Sequence, residues 1–316
     1  MSLPQDEMRL QRSDESENLA NSSWAFLVTS MARLQTLAAA VLFSTGGAGI
    51  KVATFSGLQV SALRSGIAAI ALLIVLRGRL AWSASVVFAS TVYAATLTLF
   101  VLSTKLTTAA NAIFLQASAP LYVLLLAPMM LGEHFKRRDL IYLLAIGLGM
   151  FSCFVGQPPS SVTAPDPVRG NLLGVVCSIT WAFTLVALRH VERDHSRPGL
   201  GMSAVVIGNL FACVSAMPFA WPFPAAPTGE WATLVYLGTC QIGLAYVCLT
   251  AAIRHLPALE VSLLLLVEPV LNPVWTWVLR GEHPGTWTIV GGAIILTASA
   301  LRSLHDARVA TKVVVE

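Results

Sequence analysis

SAPLYVLLLAPMMLGEH at 118–134 and VEPVLNPVWTWVLRGEH at 267–283 share one frame: a proline, eleven intervening residues, then Gly-Glu-His. The two copies are a constant 149 residues apart, so Pro120 matches Pro269, Gly132 matches Gly281, Glu133 matches Glu282 and His134 matches His283. Self-similarity held at one separation marks an internal duplication. Each copy lies in an apolar stretch and the turn that follows it, so the unit that was duplicated contains at least one membrane-length helix.

The rest of the chain has the same character. It is 316 residues long, 56% hydrophobic and 11% charged, with a mean hydropathy of +0.73, whereas soluble domains carry roughly 25% charged residues. A hydrocarbon core about 30 Å thick takes about 20 apolar residues in a helix, and a helix satisfies its own backbone there. Ten such spans are predicted: 32–53, 58–76, 83–103, 109–131, 139–156, 171–189, 202–222, 231–253, 258–279 and 285–303. The fold class is therefore an all-α membrane protein. The Pro/Ser-rich stretch around 158–170 divides the chain near its middle. The expected layout is an N-terminal extension at 1–30, a five-helix repeat at 31–156, a linker at 157–170, a second repeat at 171–303 and a tail at 304–316. The extension is polar and mixed in charge, lacks the apolar core and cleavage site of a signal peptide, and is expected to be poorly ordered.

Five is an odd number, so a second five-helix unit enters the membrane upside down relative to the first. The cations agree. With the N-terminus inside, fifteen Lys and Arg fall in inner connections or tails, and only Lys51, Lys105, Arg169 and Arg280 fall outside. That bias is the one expected of cytoplasmic loops, and places the chain in a cell (inner) membrane with both termini cytoplasmic. The cations are scattered through short connections, so nucleic acid is not an expected partner. The five cysteines lie in apolar stretches without Cys-x-x-Cys spacing, which indicates neither a disulfide framework nor a zinc site.

The duplicated helix with its proline and downstream Gly-Glu, the second-span segment ALRSGIAAIALLIVL, and the ten-helix layout resemble the drug/metabolite transporter superfamily, in particular its ten-helix EamA-type members. The likeness spans about residues 32–303. It implies a secondary transporter with a central cavity lined mainly by the first, third and fourth helices of each repeat, often an exporter of amino acids or related metabolites.

Glu268 is the residue with the most chemistry to explain. It is predicted near the middle of the ninth span, where a carboxylate costs roughly 2.5–3.5 kcal/mol. Asn272 and Trp275, four and seven residues on, fall within about 40° of it on the helix, making a polar stripe that turns away from lipid. The reading is substrate-amine binding or proton coupling; the structural alternative is a Glu that is protonated, or paired with Arg64 as the obvious candidate. Pro120 and Pro269 are expected to kink the fourth and ninth helices, and bends at matching positions of two repeats point to a binding site. Arg64 is also a candidate for a substrate carboxylate, while snorkelling accounts for Lys51. Ser44, Tyr93, Thr96, Gln116, Trp181 and Tyr246 are candidates to line the cavity. Trp82, Trp221, Trp231 and Trp287 read as interfacial anchors, and the paired glycines at 46–49, 147/149 and 291/292 as close helix contacts.

The two Gly-Glu-His turns look like a paired metal or acid/base site, but an inverted repeat sets them on opposite sides of the bilayer. Each is read instead as a helix-ending turn whose Glu can tie it to a neighbour. No catalytic residues, metal ligands or cofactor are predicted. The chain has no Walker loop, no His-Glu-x-x-His and no Gly-x-Ser-x-Gly. An intramembrane enzyme is thus disfavoured, and a proton or solute gradient is left as the energy source. An uptake carrier or a channel stands as the alternative. The expected partners are a small-molecule substrate and the lipid bilayer.

Overall fold

The computed structural model describes residues 5–130, 137–155, 160–192, 199–253, 255–256 and 258–315. Among them are nine helices long and apolar enough to cross a membrane, and a shorter apolar one at Asp139–Val155. The ten are α1 (Gln5–Val52), α2 (Gly57–Val75), α3 (Ala84–Leu106), α4 in two pieces (α4a, Ala109–Gln116, and α4b, Ala119–Met130), α5 (Arg137–Val155), α6 (Pro167–Glu192), α7 (Leu200–Ala220), α8 (228–252), α9 in two pieces (α9a, Ala258–Leu265, and α9b, Val267–Arg280) and α10 (Thr286–Val315). This is the all-α, ten-helix membrane fold expected. The two ends of the bundle are named here by their residues: the Lys51 end, where α1 stops, and the arginine-rich end, near Arg33 and Arg77.

Three boundaries differ from expectation. The apolar part of α1 begins at Leu27, but the helix itself starts at Gln5. Residues 5–26 contain no Gly or Pro, so nothing in the polar extension stops the helix. At the other terminus α10 runs past the apolar span to Val315. The linker yields its last residues to α6, which starts at Pro167, a residue suited to the first helical position because it has no N–H to leave unpaired.

The breaks in α4 and α9 follow from the duplicated prolines. A proline ring clashes with the carbonyl four residues before it. Those residues are Gln116 and Leu265, where α4a and α9a end. The break therefore sits one turn ahead of each proline, and Pro120 and Pro269 open the second segments. In α4 the hydroxyl of Ser118 takes up the loosened turn by donating to Leu115 O. The first copy's turn, 132–134, lies outside the described residues.

The principal helix contacts exchange when the repeats are exchanged. α1 packs on α9b as α6 packs on α4; α1 packs on α8 as α6 packs on α3; α2 packs on α8 as α7 packs on α3; and α2 meets α7, and α5 meets α10, across the axis. Burial repeats the relation at a second register. Ala32, Thr36, Ala39, Ala40, Ser44, Gly46 and Ala48 of α1 are buried, and so are Gly170, Gly174, Cys177, Ser178, Ala182, Thr184 and Val186 of α6, each 138 residues later. Close approach uses small residues. A Cβ on Gly291 would stand 2.4 Å from Gly149 O at the α5–α10 crossing, while Gly147 faces open space. Trp82, Trp221, Trp231 and Trp287 are exposed at helix ends.

Candidate functional site

The polar stripe of α9 faces α1, as its spacing predicts. Asn272 is 1% exposed and lies against Gly47, where a Cβ would come within 2.3 Å of Asn272 Oδ1. One turn on, Trp275 Nε1 donates to Ser44 Oγ at 2.9 Å, and Ser44 in turn donates to Val41 O at 2.6 Å. The Gly46–Gly47 pair exists to let these side chains in, since Gly46 likewise makes room for Gln241. Both amide atoms of Asn272 and the Oε1 of Gln241 are buried without a hydrogen-bond partner among the described residues.

A second group gathers around Arg64. The aromatic rings of Phe43 and Tyr246 stand 5.2 Å apart edge to face, and those of Tyr93 and Tyr246 5.9 Å apart. Trp181 and Tyr246 pack on the same apolar cluster as Tyr93, Leu72, Val205 and Ile242. Arg64 is 1% exposed, with Tyr93, Tyr246 and Cys177 close by. Two local devices bring the helices together there. Gly238, in a π-helical stretch of α8 at Leu237–Leu244, lies against Arg64 O and Ile67, and such stretches recur at functional sites. Gly208 of α7 clears space for the Tyr93 ring.

Glu268 is half-buried in the first turn of α9b and lies near Tyr246. It does not pair with Arg64; among the described residues no ion pair or hydrogen bond holds its carboxylate. Tyr246 thus has both Arg64 and Glu268 as neighbours, and those two do not pair. Thr96 is engaged in a ladder with Val92 O and Thr180 at 2.9 Å each and Thr184 at 3.3 Å, which knits α3 to α6 without a ligand. Gln116, at the end of α4a, is half-buried beside the helix break.

At the Lys51 end the expectation of snorkelling is overturned. Lys51 and Glu282 pair at 3.2 Å with side chains 3% and 4% exposed. The ammonium also donates to Thr107 O at 2.6 Å and to Thr163 O. The carboxylate accepts from Ala109 N at 2.6 Å at the start of α4a. Burial made this geometry necessary, because a lysine enclosed by α1, α4a and the loop before α6 reaches no headgroup. Beside it, Asn111 and Asn171 are joined at 3.1 Å, Thr288 donates to Asn111 at 2.7 Å and Thr107 to Asn171 at 2.7 Å. This network binds α3, α4a, α6 and α10 together. By the registers above, Asn111 corresponds to Glu260 and Asn171 to Arg33. Those two form an ion pair at the arginine-rich end with side chains 30% and 48% exposed. The same interhelical tie is dry and amide-based at one end, and wet and charged at the other.

Sequence reasoning missed Asn209 and Gln241. Asn209 of α7 is fully buried; its Nδ2 donates to Val205 O at 2.9 Å, and its Oδ1 is unpartnered among the described residues. A lone amide in an otherwise apolar span was the available signal for both. The π-helical stretch left no trace in the residue pattern.

Comparison with known proteins agrees with this architecture. The model of the EamA-like transporter family matches residues 30–155 and again 168–304. An "uncharacterized transporter" of Archaeoglobus fulgidus is 22% identical over 197 residues, 62% of this chain and 68% of that protein. A crystal structure of a protein 21% identical superposes with a TM-score of 0.57, covering 89% of this chain and 99% of the other, a likeness of fold alone.

Proposed function

The chain belongs to the EamA-like transporter family, and from that premise we propose that it is a secondary active carrier moving a small polar metabolite, foremost an amino acid or a related compound, outward by alternating access. It resides in the cell (inner) membrane with both termini cytoplasmic, a placement supported by the distribution of Lys and Arg. Inverted repeats meeting at a central site are the architecture on which one half rocks against the other. The buried network at the Lys51 end is the barrier that must open in each cycle.

One observation carries the reading. Both repeats break a helix one turn before a matched proline, yet only the second sets a carboxylate, Glu268, at the break, half-buried and without a partner among the described residues. Its counterpart is Ala119. A carboxylate without a partner in a membrane helix is a functional group by default, and here it serves to bind a cargo amine or to carry the coupling proton. Glu268→Gln in proteoliposomes tests this. The variant is expected to lose the response of transport to an imposed pH gradient, and an unchanged rate with an unchanged pH response overturns it.

A further inference from the structure

The group around Arg64 asks for a ligand of a particular shape. Its Nε and Nη2 are the buried guanidinium atoms without hydrogen-bond partners. These two nitrogens form one edge of the guanidinium, with two N–H bonds pointing the same way, the fork that takes both oxygens of a carboxylate at once. The Tyr93 hydroxyl, close to Tyr246 and Asn209, is a third polar group beside it that makes no well-formed hydrogen bond among the described residues. Among the described residues no carboxylate pairs with Arg64, and a guanidinium does not shed its charge to relieve burial. A buried cation left alone is strongly unfavourable, and the described residues supply no anion to compensate it.

We infer that Arg64, with Tyr93, forms a subsite for a single carboxylate group of the cargo. The inference rests on the carrier reading and names what the carrier recognises. A carboxylate fits better than a phosphate because it is planar and bears one charge. Arg64 is the one cation of the group, so a dianion would leave an excess of negative charge. Asn209 Oδ1, close to Tyr93 and without a hydrogen-bond partner among the described residues, is an acceptor for an N–H donor on the same molecule. The walls are apolar and aromatic, which suits the body of a compact amphiphilic acid.

The test sets free acids against relatives that keep the amine and lose the carboxylate. Full-length protein in proteoliposomes is assayed for counterflow of labelled L-leucine, L-threonine and L-phenylalanine, with the free acids, their methyl esters, their decarboxylated amines and inorganic phosphate as competitors. The free acids are expected to compete, and the esters, amines and phosphate to compete roughly tenfold or more less well, the scale of a lost charge-assisted hydrogen bond. Arg64→Lys should weaken the acids while keeping the preference, and Arg64→Gln should abolish it. Esters or amines competing as well as acids overturn the subsite and leave the carrier standing, a result read on wild-type protein even where Arg64→Gln fails to fold. Phosphate as the sole competitor does the same. No counterflow of any compound overturns the carrier reading, and the subsite with it.

Discussion

Replacing Lys51 with methionine keeps most of the side-chain volume and removes the ammonium. In the folded protein that change strands two acceptors, Thr107 O and Thr163 O, and leaves Glu282 Oε2 without its ion-pair partner. The carboxylate keeps only the Ala109 N–H. Breaking a buried pair from one side costs about 3–5 kcal/mol, because the remaining charge is left uncompensated. Glu282→Gln is milder. A glutamine oxygen can still accept from Ala109 N, and Lys51 retains two carbonyl acceptors, so about 1–3 kcal/mol is expected. Combining the two removes the stranded charge, and the double variant should be more stable than the sum of the single losses by about 2 kcal/mol or more. Reversible unfolding of purified protein in mixed micelles, run as a double-mutant cycle, measures all three values. A Lys51→Met loss below about 1 kcal/mol, or strict additivity, would refute the claim that this pair is dry and holds the Lys51 end shut.

Two further substitutions probe the α1–α9 contact. Gly47→Ala drives a methyl group to within 2.3 Å of Asn272 Oδ1, so the helices must part; overpacking of this kind costs about 1–3 kcal/mol, and a thermal melt unchanged from wild type would contradict the contact. Ser44→Ala removes the acceptor of Trp275 Nε1; a loss of about 1 kcal/mol is expected, with a shift of tryptophan emission that Trp275→Phe abolishes, and emission insensitive to the change would place the indole elsewhere.

The fold was legible in the sequence because its signals are periodic and redundant. Span length, the alternation of cations and the fixed spacing between two Gly-Glu-His turns all gave the same ten helices. The stripe of Glu268, Asn272 and Trp275 was legible for the same reason, since helical spacing dictates a shared face. The position of the helix breaks followed less directly; the prolines were visible, but the break falls at Gln116 and Leu265, where the ring meets the preceding turn. The Lys51–Glu282 pair was not legible. Its partners are more than two hundred residues apart and only packing brings them together, so a lysine near a helix end read as a headgroup anchor. The pairing of Arg64 with Glu268 stood as the structural alternative because charge alone suggested it, and the two do not pair. The relation between α1 and α6 left almost no residue identity to find, because burial was kept at the 138-residue register while the side chains changed.

The central claim is that two opposed repeats carry a cargo by alternately exposing one site. Counterflow measures it most directly. Proteoliposomes preloaded with unlabelled L-leucine, L-threonine and L-phenylalanine are diluted into trace labelled forms of the same compounds. Label accumulating transiently above its equilibrium level is the result the account predicts, because a carrier must return loaded. Label that rises monotonically to equilibrium, at a rate indifferent to the internal pool, would identify a passive pore and contradict it.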